Sequence, residues 1–249
     1  MSLFPIPRGA RLAASVLALA AALPAAARPA RAELRPPTPA ESRALRRILG
    51  AVQQVLDRLG SDDWEKTSDL YDGEPLVNSA PDVPLDINQN FERVYRVRRG
   101  SHRYSTRLWP LMERLEQVPD LAGKQQVGAE IQRLSWVTAD VHINMRSAPI
   151  GQPPARNRDL GVAGAAFAYA LNPGDSPDAG HGSYFILGFG NWRGARWDGE
   201  NLGYRFAFAH RPGTPFVENV VIRIWGADDR IRELLRAVDW NQLNAALTR

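Results

Sequence analysis

The chain has 249 residues, 44% of them hydrophobic, no cysteine and a formal net charge of +4. The missing cysteines exclude disulfides, a lipid-modified N-terminal cysteine and thiolate metal centres. The positive charge is carried entirely by Arg8, Arg11, Arg28 and Arg31, so residues 33–249 are formally neutral; that removes the premise for a nucleic-acid partner.

Arg8 and Arg11 precede an apolar run from Leu12 to Leu23, and Ala30-Arg31-Ala32 offers small residues at the positions a signal peptidase reads. The pattern predicts a cleaved export signal over 1–32 and a periplasmic or secreted address. It also predicts no transmembrane anchor after cleavage, because a run of about 12 residues falls short of the roughly 20 a spanning helix needs. A Pro-rich spacer, 33–40, then leads into one domain over 41–249, long enough to bury a core without disulfides.

Thr38-Pro39-Ala40-Glu41 reads as a capping box with proline at the first helical position. Leu45, Ile48, Leu49, Val52, Val55, Leu56 and Leu59 follow at helical spacing, and Gly60 offers a left-handed stop. A second short helix is expected from Asp63 to Tyr71, then a loop over 73–86. The segment 91–99 suits a strand better than a helix, since β-branched and aromatic residues dominate it and Gly100-Ser101 suggests a turn. Helices are expected over 111–118 and, after the N-cap Asp120, over 121–134.

Ser135 to Arg146 alternates strictly, with Val137, Ala139, Val141, Ile143 and Met145 opposed to Trp136, Thr138, Asp140, His142, Asn144 and Arg146. That is the pattern of a half-buried strand. Further strands are expected at 161–171, which is apolar on both faces and also compatible with a buried helix, and at 183–190, 204–210 and 216–225, joined by short turns and therefore antiparallel. Asp228 should cap a helix carrying Ile231, Leu234, Leu235 and Val238, and Asp239 to Gln242 should open a last one. This segregated order predicts an α+β fold, with an antiparallel sheet of about five or six strands packed against N-terminal and C-terminal helices.

No nucleophile elbow, zincin, phosphate-loop or calcium-loop motif is present, and no family motif is matched. Four constellations carry chemistry. The first is the polar face of 136–146. Asp140 beside His142 can orient an imidazole for base chemistry, or the face can serve a ligand or simply water. In the second, Trp192, Trp197 and Tyr204 surround glycine turns, as flat rings do when they take a sugar or peptide or fold over a sheet edge. Third, Asp175, Asp178 and His181 share a loop able to curl around a cation or to cap its own backbone. Fourth, Arg93, Arg96, Arg98, Arg99, Arg103 and Arg107 interleave with Tyr95, Tyr104 and Trp109, either as an anion site or as an ion-paired surface.

The sequence therefore predicts an exported soluble protein that binds a small ligand or an envelope protein partner, without catalysis, cofactor or metal. Its ligand-binding residues are expected to be Trp136, Asp140, His142, Asn144, Arg146, Trp192, Trp197 and Tyr204. The alternative is a hydrolase or lyase acting through His142 and Asp140 or through a metal, which clustering of His142 with His181 or His210 would favour. A structural envelope component with no small-molecule site is a third reading.

Overall fold

The computed structural model describes residues 34–71, 76–78, 87–88, 90–145, 147–149, 158–171, 183–192, 195–200, 203–205 and 217–247. A two-residue strand, β1 (Leu34–Arg35), precedes α1 (Pro39–Leu56), which begins as its sequence dictates. The Thr38 hydroxyl accepts from the Glu41 N–H while the Glu41 carboxylate accepts from the Thr38 N–H, the reciprocal arrangement of a capping box. Leu45, Ile48, Val52 and Val55 form the buried stripe. The helix runs out through a 3-10 turn, Asp57–Leu59, and Gly60 is extended, with φ −69° and ψ 143°, rather than left-handed. Arg230 explains the difference: its guanidinium donates to the carbonyls of Arg58, Leu59 and Gly60, so the orphan acceptors are satisfied from outside the helix.

Residues 64–71 are not helical; they form strand β2 (Trp64–Tyr71). A bulge between Lys66 and Ser68 shifts the register against its neighbour and disturbs the alternation that marks a strand. The expected loop 73–86 contains strand β3 (Leu76–Asn78), which with β1 and β4 (Ile87–Asn88) makes a small sheet in the order β1-β3-β4. The rest of that loop lies outside the described residues. Strand β5 (Asn90–Val97) follows as expected and turns at Gly100, where φ is 82°.

A π-helical turn, Tyr104–Leu108, leads directly into α2 (Trp109–Gln117); α3 (Leu121–Ser135) then starts with the Asp120 carboxylate accepting from the Gly123 N–H. The remaining strands are β6 (Trp136–Ile143), β7 (Ser147–Pro149), β8 (Arg158–Asp159), β9 (Phe167–Leu171), β10 (Ser183–Gly190), β11 (Arg196–Asp198), β12 (Gly203–Arg205) and β13 (Asn219–Gly226). The strand expected over 161–171 occupies only its second half, because Gly161 and Gly164 adopt positive φ and turn the chain before Phe167. Of the strand expected at 204–210, residues 206–210 lie outside the described residues.

Two helices complete the chain, α4 (Asp228–Ala237) and α5 (Asn241–Leu247). Asp228 is the first helical residue rather than the cap, which is Ala227; its carboxylate instead holds Arg232 Nε at 2.7 Å. Asp239 accepts from the Asn241 N–H as α5 begins.

The fold is α+β, with an antiparallel sheet of seven strands in the order β2-β5-β6-β13-β10-β9-β8, the last a two-residue edge strand. The N-terminal helix α1 and the C-terminal helices α4 and α5 cover its inner face. There Phe91, Tyr95, Val137, Val141, Phe185 and Ile222 alternate inward and meet Ile48, Leu56, Ile231 and Trp240. A second sheet in the order β11-β12-β7 packs on part of the outer face. Among the described residues no helix is long and apolar enough to cross a membrane.

One cation is built into the inner face. Arg93 is 2% exposed and donates to the Asp57 and Asp69 carboxylates and the Gln53 carbonyl, with its guanidinium 5.1 Å from the Phe91 ring centre. Burial opposes ionisation of Asp69, but the hydrogen bonds from Lys66 and Arg93 outweigh it and hold that carboxyl below its usual value. Burial also pushes the Tyr95 hydroxyl up to about 12.

Candidate functional site

Strand register decides which side chains share the outer face of β6. Thr138 lies between Val94 of β5 and Trp225 of β13, and Asp140 lies between Glu92 and Arg223. His142 is the next residue along on the same face. Its Nε2 is 2.6 Å from Asp140 Oδ2, and both side chains are more than four-fifths buried, at 15% and 18% exposure. Arg223 approaches the same oxygen at 4.0 Å, and its buried Nε has no hydrogen-bond partner. A carboxylate in this position fixes the orientation of the imidazole and leaves its second nitrogen for a ligand.

Beyond Thr138 the outer face opens into a groove of about 660 Å³ beneath the α2–α3 hairpin. Its apolar walls are Val94, Val97, Tyr104, Leu108, Met112 and Ile131; Trp136 and Thr138 line it from β6, and Arg96 and Gln132 supply polar groups. The hairpin is loosely attached. Helix α2 has no buried residue, and α3 buries Val127 alone among its side chains. Trp109, Met112 and Leu121, the large hydrophobic residues exposed among the described residues, all belong to it, at 47%, 39% and 72% exposure. Gly128 of α3 also lines the groove, and a Cβ added there meets nothing within 4 Å. At a rise of about 3.3 Å per residue, Asp140 lies roughly 7 Å along the strand from Thr138. The Asp140–His142 pair therefore lies on the same strand face as Thr138, outside the residues that line the groove.

The other residues expected at the site are placed elsewhere. Asn144 is buried with φ 53°, and its Oδ1 accepts from the Glu218 N–H at 2.7 Å and the Asn219 N–H at 3.4 Å. Arg146 lies outside the described residues, as do Asp175, Asp178, His181 and His210. Trp192 is buried, donates from Nε1 to the Phe189 carbonyl and meets the Phe167 ring edge-on at 5.0 Å. Trp197 and Tyr204 are half-buried in the same aromatic cluster, with the Tyr204 hydroxyl 3.2 Å from that of Tyr169. These three rings close the second sheet over β9 and β10.

The arginines do not form one patch. Arg93 belongs to the inner core, Arg103 and Arg107 share Asp229, and Arg103 stacks 4.9 Å from the Trp64 ring centre. Arg98 faces Glu65, and Arg96 stands in the groove wall. His102 is exposed in the helical turn that leads into Tyr104–Leu108. Among the described residues no three His, Asp or Glu side chains are grouped to hold a metal ion. The groove was not visible in the sequence because Leu108, Met112 and Ile131 occupy ordinary helix-core spacings; the faint signal was a pair of helices between strands that pair directly with one another. No protein-family model, curated protein or solved structure matches the chain.

Proposed function

We propose that the chain is an exported, non-catalytic binding protein that takes a small ligand with an apolar body into the groove beneath the α2–α3 hairpin. The supporting observation is the groove itself. Its volume of about 660 Å³ lies within the usual range for small-molecule sites, and its lining is mainly apolar with a few polar groups. A ligand there supplies the apolar contact that α2 lacks, while Arg96 and Gln132 offer hydrogen bonds to a polar end.

The test uses the neutral dye N-phenyl-1-naphthylamine with two substitutions at Gly128. Gly128→Ala retains dye binding and stabilises α3 by up to about 1 kcal/mol, since glycine costs that much inside a helix. Gly128→Phe projects a ring into the groove and weakens binding at least tenfold while the protein stays folded. Equal dye affinity in wild type and Gly128→Phe overturns the reading. Export rests on the leader, and N-terminal sequencing of the accumulated protein should begin at Glu33; a retained Met1 removes the address.

The 2.6 Å contact between His142 and Asp140 favours a second reading, a hydrolase or lyase in which His142 acts as general base. The readings separate in His142→Gln: a binding protein keeps its dye affinity and has no turnover to lose, whereas an enzyme loses turnover on an ester or lactone panel by at least a hundredfold.

A further inference from the structure

The inner helix layer carries a second concavity, apart from the groove beneath α2 and α3. Helix α4 and the turn ahead of β9 enclose a trough of about 390 Å³, with Leu160, Val162 and Leu235 as its apolar lining and Arg232 and Arg236 along one side. The apolar residues pack on the main core, so the trough is a gap in the core's rim and not a surface wrinkle. Gly161, at φ 58°, supplies the left-handed backbone of that turn.

The charges around α4 are unevenly used. Asp228 holds Arg232, Asp229 holds Arg103 and Arg107, and Glu233 holds Arg230. Among the described residues no carboxylate pairs with Arg236, whose Nε is anchored on the Arg232 carbonyl at 3.1 Å while its terminal nitrogens remain for another acceptor. Arg232 is itself fixed, by Asp228 and by the Phe185 ring 5.2 Å away. Two guanidiniums against one carboxylate leave a single positive charge beside an apolar trough. We infer that this trough is a second binding site, for a monoanionic amphiphile of medium chain length, with its carboxylate on Arg236 and Arg232 and its tail on Leu160, Val162 and Leu235. Planar guanidiniums match a carboxylate in geometry as well as charge, and the small volume excludes a long or double-chained lipid held whole.

Isothermal titration of the purified protein with decanoate, below its micelle concentration, tests the assignment. Wild type should bind one equivalent, decanol should bind at least tenfold more weakly, and Arg236→Gln and Val162→Asp should each lose about tenfold or more. Retention of the naphthylamine dye in both variants keeps this site distinct from the groove and shows that they fold. Co-sedimentation with phosphatidylcholine vesicles carrying decanoate distinguishes the source: binding of free decanoate without sedimentation marks a soluble amphiphile, and Arg236-dependent sedimentation marks the same carboxylate taken from a bilayer. Decanoate affinity equal in wild type and Arg236→Gln, displacement of the dye by decanoate, or no heat of binding at all overturns the inference.

Discussion

Replacing Asn144 by alanine should cost stability and leave ligand binding intact. Asn144 and Asn219 clasp the end of β6 to the start of β13. Asn144 Oδ1 accepts from the Glu218 and Asn219 N–H groups, Asn219 Oδ1 accepts from the Met145 N–H at 2.8 Å, and Asn219 Nδ2 donates to the Met145 carbonyl at 3.1 Å. Alanine removes the acceptor that the Glu218 and Asn219 N–H groups share, at about 1–3 kcal/mol. It also loses the local hydrogen bonding that lets asparagine occupy the left-handed region at φ 53°, where an L residue otherwise costs roughly 1–2 kcal/mol. The sum, about 3 kcal/mol, corresponds to a Tm lower by about 6–12 °C in a domain of this size. Asn144→Gly separates the two contributions, because glycine carries no penalty at that φ and should recover about 1 kcal/mol of the loss. Differential scanning calorimetry supplies the Tm values and dye titration the affinity. An alanine variant that melts with wild type but loses the dye would falsify this assignment and return Asn144 to the ligand site.

Two further perturbations test the fold beneath the site. The hydrogen bond from Arg35 holds the Glu41 carboxyl down to about 2, against 4.5 for an unperturbed group. Its contribution is therefore fully present above pH 4.5 and fades as pH falls toward 2; the pair is partly solvated, so the effect is modest. Glu41→Gln should lower the Tm at pH 7 and converge with wild type near pH 2, and a constant difference across that range contradicts the linkage. At Gly188, in the centre of β10, a Cβ would overlap the Phe167 ring. Gly188→Ala should thus cost about 1–3 kcal/mol by overpacking, read as a shifted denaturation midpoint; an unchanged midpoint would mean that the aromatic cluster over the outer face is loosely packed.

The parts of the fold readable from sequence are those where local chemistry and tertiary demand agree. Thr38, Pro39 and Glu41 name the start of α1 without reference to any neighbour, and the apolar alternation of Val137, Ala139 and Val141 marks the buried side of β6. β2 was misread because its bulge at Thr67 breaks the alternation, and a bulge is set by the partner strand, not by the residues within it. Gly60 was misread because the donor that ends its helix, Arg230, lies 170 residues away in sequence. The polar face of β6 was legible as a face but not as a set of duties. Alternation puts Thr138, Asp140, His142 and Asn144 together, yet only the neighbouring strands decide that Thr138 meets a groove, that Asp140 meets Arg223, and that Asn144 meets the β13 backbone. The groove depends on how far a helical hairpin stands from a sheet, which no helical period encodes.

A crystal structure of the protein grown with N-phenyl-1-naphthylamine tests most directly whether a ligand occupies the space between the α2–α3 hairpin and β5–β6. Density for the dye is expected between Val94, Ile131 and Trp136, with Met112 closed over it. Dye seated elsewhere, with the hairpin collapsed onto Thr138 and the groove gone, contradicts it.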